Sequence, residues 1–203
     1  MNNKDITIFF KAIRDSDLIK VKELVQSDCE FVRAIRKSPP KKDDGQSGLQ
    51  VAFKTGNFEI AKYLIDSDAD INFIDESKIN EWNMPVFHDC IRAVIFNCKT
   101  LQSDTTKFDS AFLLLQIMIE KGTDPNSIDS YGNNCLHRAI LDSRQMIEHP
   151  NAKIEDGILL SQLRILFNEL IKSGADVELS NEKRPCALDL IKTFGLEKYE
   201  LIK

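Results

Sequence analysis

A short pattern recurs along this chain, and a recurring unit constrains the fold more than any isolated motif. Residues Asp129-Ser130-Tyr131-Gly132-Asn133-Asn134-Cys135-Leu136-His137-Arg138-Ala139-Ile140 place a glycine ahead of a Leu-His-x-Ala core. Earlier, Gly45-Gln46-Ser47-Gly48-Leu49-Gln50-Val51-Ala52 keeps the glycine, a hydroxyl, the leucine and the alanine, and Phe87-His88-Asp89-Cys90-Ile91 restates the core. Such self-similarity predicts a stack of small units, because each unit has an apolar face that only a neighbouring unit can bury.

A second pattern closes each unit. It reads Leu64-Ile65-Asp66-Ser67-Asp68-Ala69-Asp70-Ile71-Asn72, then Met118-Ile119-Glu120-Lys121-Gly122-Thr123-Asp124-Pro125-Asn126, then Leu170-Ile171-Lys172-Ser173-Gly174-Ala175-Asp176-Val177-Glu178, with a weaker form over Leu24–Val32. Together the two patterns match D-x-x-G-x-T-P-L-H-x-A and L-L-x-x-G-A-D-x-N, and the chain resembles an ankyrin-repeat protein over nearly its whole length. The resemblance implies an all-α solenoid of about five helix-turn-helix repeats joined by extended, hairpin-like fingers. Helical periodicity agrees with it: Phe58, Ile60, Ala61, Leu64 and Ile65 form one broad stripe.

The alanine of the core, or its counterpart, falls at Ala12, Ala52, Cys90, Ala139 and Ile191, which makes residues 1–203 one domain with repeats at about 5–38, 44–76, 82–127, 129–180 and 181–203. The intervals are 40, 38, 49 and 52 residues, all longer than the family period of about 33. In the first two, the surplus lies in the linker Arg33–Asp44 and the finger Glu76–Asn83. In repeats 3 and 4 it lies between the two helices, since Cys90 to Met118 and Ala139 to Leu170 span 28 and 31 residues against 12 for Ala52 to Leu64. These long insertions predict lengthened helices and a ridge made of Lys99–Asp109 and Gln145–Gly157. The fifth repeat is either a short cap or a truncated copy.

With 27 Lys and Arg against 32 Asp and Glu, the chain carries a net charge of -5, which argues against general affinity for nucleic acid or an anionic membrane. A local basic patch is still compatible with that balance. The polar start and the lack of an apolar run of about 18 residues predict neither a signal peptide nor a membrane span. Cys29, Cys90, Cys98, Cys135 and Cys186 are odd in number and lack C-x-x-C spacing, so a cytoplasmic protein with reduced thiols is expected.

His88 and His137 are catalytic in type, but the resemblance places both at a position whose histidine hydrogen-bonds backbone in the turn. No H-E-x-x-H, G-x-S-x-G or Gly-rich phosphate loop accompanies them. Asp66, Asp68 and Asp70 lack the glycine and terminal glutamate of a calcium loop, and Lys41-Lys42-Asp43-Asp44 reads as a solvated linker. Neither an enzyme nor a metal or cofactor is expected. The resemblance implies instead a protein-protein interaction module, with an inhibitor or immunity protein as its more specific form, that uses the concave face and the fingers.

Positions one before and two or three after the marker alanine project to that face. They include Lys11, Arg14, Lys54, Arg92 and Arg138, with Asp15, Asp89 and Asp142 among them. The cations form either a stripe for another protein's acidic patch or a solvated mixed-charge face. Trp82 and Tyr131 lie on adjacent fingers, and each is a candidate anchor if exposed; a buried Trp82 would cover the apolar end of its repeat. The alternative function is an enzyme or small-ligand site in the inserted ridge, around Glu148, His149, Lys153, Glu155 and Asp156.

Overall fold

In the computed structural model, which describes residues 2–37, 43–98, 105–152, 154–155 and 157–202, the regular structure is helical. Nine α-helices occur among the described residues: α1 (Asn3–Arg14), α2 (Leu18–Ser27), α3 (Gly48–Thr55), α4 (Phe58–Asp66), α5 (Val86–Phe96), α6 (Thr106–Glu120), α7 (Cys135–Ile147), α8 (Ile158–Lys172) and α9 (Ala187–Thr193). The chain divides into two compact units, Met1–Asp89 and Cys90–Lys203, and α5 starts in the first and ends in the second.

In the first unit, α1 pairs with α2 and α3 with α4, while α1 also lies on α3 and α2 on α4. That alternation is the arrangement of stacked helix pairs. Its cause is the apolar stripe on each helix: Phe9 and Ile13 of α1, Leu49 of α3 and Ile60, Leu64 and Ile65 of α4 are all but fully buried. Gly48 opens α3 where a side chain would meet the Phe9 ring at 2.9 Å, so its lack of a Cβ lets α1 and α3 approach. Phe9 in turn packs edge-on against Phe10, with ring centroids 5.6 Å apart.

The second unit contains α7 packed on α8 and on α9. Three of its helices are long: α6 and α8 each have 15 residues and α7 has 13, whereas α3 and α4 have 8 and 9. The predicted lengthening is therefore present. Phe108, Ala111, Leu114, Leu115 and Met118 of α6 are buried, so the added turns carry core side chains and are not solvent excursions. A single 3-10 turn, Glu197–Tyr199, follows α9, and Arg164 of α8 donates two hydrogen bonds to the Tyr199 carbonyl, at 3.1 and 2.8 Å.

All five marker positions lie on helices, α1, α3, α5, α7 and α9, and all are buried. Between the helix pairs the chain makes fingers pinned by isolated antiparallel bridges, Ile35 with Ser47, Ile74 with Pro85 and Asn181 with Arg184. At the closing pattern, Asp68, Gly122 and Gly174 all take positive φ, at 63°, 90° and 97°. The aspartate two residues later then accepts a backbone N–H two residues further on, in Asp70 to Asn72, Asp124 to Asn126 and Asp176 to Glu178, each at 2.9 Å. Asp68 and Asp70 thus shape the turn, and Asp66 accepts from Lys62 at 2.6 Å. The weaker first copy ends differently: Asp28 caps a 3-10 turn over Cys29–Arg33.

One expectation for the linker is overturned. Asp43 is not solvated but only 1% exposed, because Arg14 reaches it. Ser38–Lys42, Lys99–Asp104, Lys153, Asp156 and Lys203 lie outside the described residues.

Candidate functional site: the inner helices and the finger tips

The local chemistry of the repeats starts at the helix caps. Ser47 accepts the Gln50 N–H at the start of α3 while the Gln50 side chain accepts the Ser47 N–H, both at 3.2 Å. At the start of α7, Asn134 accepts the His137 N–H at 3.0 Å and His137 Nδ1 accepts the Asn134 N–H at 3.2 Å. Both are reciprocal capping boxes. Gln50 thus stands where the pattern has histidine and makes the same bond.

The other end of each side chain reaches the next finger. Gln50 Nε2 donates to the Met84 carbonyl at 3.1 Å and to Asp89 Oδ2 at 3.0 Å; His137 Nε2 lies 2.6 Å from the Pro185 carbonyl. A carbonyl only accepts, so Nε2 carries the proton, while Nδ1 accepts at the cap and also lies 2.6 Å from Asn134 Oδ1. Met84 and Pro185 occupy the same place in the pattern, one residue past the glycine position. Burial holds the His137 ring below its ordinary pKa, opposed by the Pro185 carbonyl. The ring is a neutral structural bridge with both nitrogens engaged. His88 is likewise buried, on α5.

At two of the cores the glycine ahead seats one finger on the next. Gly45 has φ +75° and a Cβ there would lie 1.9 Å from the Ser77 nitrogen; its carbonyl accepts the Glu76 N–H at 2.9 Å. Gly132 has φ +78°, with Asn181 Oδ1 2.4 Å from where a Cβ would sit, and its carbonyl accepts from Asn181 Nδ2 at 2.9 Å. Only a residue without Cβ combines that φ with so close an approach.

The predicted surface cations come next. Lys11 is the most exposed, with a side chain 76% accessible, and donates to Asp15 at 2.7 Å; that hydrogen bond raises its pKa. Arg14 forks onto buried Asp43, its Nε 2.6 Å from Oδ2 and its Nη2 also bonded to Oδ1. Lys54 lies 3.9 Å from buried Asp89. Arg92 lies 3.6 Å from buried Asp142, and Arg138 reaches both Asp129 and Asp142 at 3.5 Å. Arg14, Lys54 and Arg92 all stand two residues after a marker, and each meets a carboxylate further along the chain, Asp43, Asp89 and Asp142 in turn. These cations are held from below by buried acids, their heads 24%, 29% and 31% accessible. Burial raises the Asp142 pKa against the opposing pull of Arg138 and Arg92.

The finger aromatics are exposed, Trp82 at 43% and Tyr131 at 50%. Trp82 sits between two non-glycine residues in left-handed conformations, Glu81 with φ 50° and Asn83 with φ 44°. Tyr131 occupies a turn closed by the Gly132 N–H on the Asp129 carbonyl at 2.9 Å. Trp82 is therefore not a buried core residue.

In the inserted ridge, Glu148 accepts from Arg144 at 2.8 Å, and His149 Nδ1 accepts the Asn151 N–H at 3.1 Å. Both are local surface contacts, and Glu155 is exposed. Among the described residues no group of three His, Cys, Asp or Glu is placed to hold a metal ion, and no helix is long and apolar enough to cross a membrane. The cysteines are free thiols, and burial pushes Cys98 and Cys135 up so that both stay protonated.

Residues 44–76 match the ankyrin repeat family model. Those are the bounds of the second repeat as the sequence sets them, and they contain the capping box of Ser47 and Gln50, the seat at Gly45 and the turn at Asp68. No curated protein matches the chain. The match and the engaged side chains at these positions are those of repeated helix pairs.

Proposed function

We propose that the chain is a non-catalytic protein-protein interaction module, a five-repeat ankyrin-like array over residues 1–203, that engages another protein through the inner-helix faces and the fingers. The observation that carries this reading is the pair of exposed finger aromatics, Trp82 and Tyr131. Large aromatic side chains supply contact area at little entropic cost and dominate binding energy where they anchor. Trp82 is flanked by Glu81 and Asn83, both with left-handed backbone.

In this reading the predicted residues divide by role. Trp82, Tyr131 and Lys11 contact the partner. Arg14 and Lys54 in the first unit, and Arg92 in the second, offer partly exposed charge to acidic groups of the partner, while Asp89 and Arg138, being more deeply placed, hold their neighbours in position. Partners of this kind include an enzyme or toxin that the module inhibits. The free thiols suit a reducing, cytoplasmic setting.

Affinity capture from the native source tests the reading, with Trp82→Ala and Tyr131→Ala as the decisive variants. Loss of the captured protein on either substitution, with an unchanged melting temperature, is the expected outcome. Undiminished capture by the doubly substituted protein would reject the fingers as the site. Charge reversal at Arg92 or Arg138 is a poorer probe, since it places a second anion beside buried Asp142 and threatens the fold itself.

A further inference from the structure

We infer that the first unit holds a separate docking groove for an acidic peptide segment of a partner protein, formed by Arg33, Arg36 and Lys37 over an apolar floor. The groove, of about 460 Å³, runs between α1 and the stretch that follows the 3-10 turn, with Ile6, Ala34 and Ile35 as its apolar lining and Arg33, Arg36 and Lys37 as its charge. Among the described residues no carboxylate lines it. The nearest acids in sequence, Asp5 and Glu30, lie outside the lining.

Three features distinguish these cations from those on the inner helices. Arg14, Lys54, Arg92 and Arg138 each lie against a buried carboxylate of the same chain. Arg33 and Lys37 are exposed and make no ion pair among the described residues, so their charge is available to an incoming anion. Arg36 is the fixed member: only 5% exposed, it donates to the Thr7 hydroxyl at 2.8 Å and lies over the Phe10 ring with 6.0 Å to its centroid.

The backbone is held as firmly. The Arg36 N–H donates to the Gln46 carbonyl at 2.9 Å and its carbonyl accepts the Gly45 N–H at 2.7 Å, which fixes the segment before any ligand arrives. Pre-organisation of this kind reduces the entropy lost on binding. The N–H groups of Ile35 and Lys37 make no backbone hydrogen bond among the described residues, so a strand laid along this edge would find main-chain donors as well as side-chain charge.

Charge complementarity sets the occupant. Residues 33–42 carry five cations and no acid in a chain whose net charge is -5. Carboxylates would meet Arg33 and Lys37, and an apolar side chain between them would rest on Ile6 and Ile35. An extended segment with glutamate and leucine in alternation meets both demands. This inference stands independently of the finger reading, because it uses none of the same residues.

The test uses the full chain and a fluorescein-labelled peptide of alternating glutamate and leucine, followed by anisotropy at low and at physiological salt. Matched peptides with glutamine or lysine in place of glutamate serve as comparisons. The acidic peptide should bind with salt-sensitive affinity, and the glutamine and lysine peptides should bind at least about tenfold more weakly. Arg33→Glu with Lys37→Glu should weaken binding of the acidic peptide by about tenfold or more, and the milder Arg33→Gln with Lys37→Gln should weaken it in the same direction. Lys20→Glu with Lys62→Glu, two surface cations elsewhere in the same unit, should leave it within about twofold. Failure of the acidic peptide to bind would overturn the proposal, as would equal affinity for the glutamine peptide or for the Arg33 and Lys37 variants. Competition by inorganic phosphate as effective as that by unlabelled peptide would assign the groove to a free anion and overturn the peptide as its occupant.

Discussion

The second and fourth repeats build one joint from different side chains, and the comparison separates what the fold needs from what the pattern happens to use. Gln50 and His137 each close a capping box and each donate to the corresponding carbonyl of the next finger. An amide does this without a titrating proton; an imidazole does it only while neutral. What the position requires is an acceptor at one end and a donor at the other, at the reach of either side chain. The fingers differ in the same way. Gly45 meets the backbone of Ser77, which cannot move aside, whereas Gly132 meets the side chain of Asn181, which can yield only by giving up its bonds to Gly132, Lys183 and Arg184.

The largest effect that would sharpen this comparison is at the glycines. Gly45→Ala combines an unfavourable φ with a collision against main chain and should cost about 4 kcal/mol, against about 2 kcal/mol for Gly132→Ala. Chemical denaturation of the two variants measures the gap. Equal losses would show that the second finger is as rigid as the first.

Next come the ion pairs. Arg14→Ala strips both bonds from a carboxylate that is 1% exposed and should cost about 3 kcal/mol. Arg92→Ala should cost about 1 kcal/mol, because Arg138 remains beside Asp142. If Arg92→Ala proves the costlier, the assignment of Asp142 to two cations is wrong.

The smallest effects lie in the pH dependence. His137 has a folded pKa below its ordinary value, so the unfolded chain binds the proton more readily. Its contribution is complete above about pH 6.5 and is lost as the pH falls through the lowered folded value. His137→Gln should keep the bond to Pro185 and remove this loss, while Gln50→His should create one in the first unit. Asp142 acts with the opposite sign in a lower window: its folded pKa is raised, so stability falls as the pH climbs from 3.8 towards that value. Asp142→Asn should flatten that slope. Thermal melts across pH, wild type against each variant, would show both windows.

The sequence made the helix pairs legible because small buried residues and apolar stripes recur at fixed offsets; all five marker positions lie on buried helix faces. The helix lengthening in repeats 3 and 4 was legible from spacing alone. The partners of the cations were harder to read. Asp43 looked like part of a solvated linker, and only the return of the chain from Ile35 to Ser47 brings it under Arg14. A search for chemistry by residue type also favoured the histidines and passed over Gln50, although its cap and its bridge are those of His137. The basic groove had a signal in the five cations of residues 33–42, but its apolar floor comes from Ile6 on another helix.

The central claim is that residues on the repeat pattern build the scaffold while its exposed departures meet the partner. Quantitative capture of the native partner by His137→Gln and Trp82→Ala, side by side with wild type, tests it most directly. His137→Gln should capture as wild type does, and Trp82→Ala should lose capture while melting at the same temperature. Full capture by Trp82→Ala together with loss by a stably folded His137→Gln would contradict the claim.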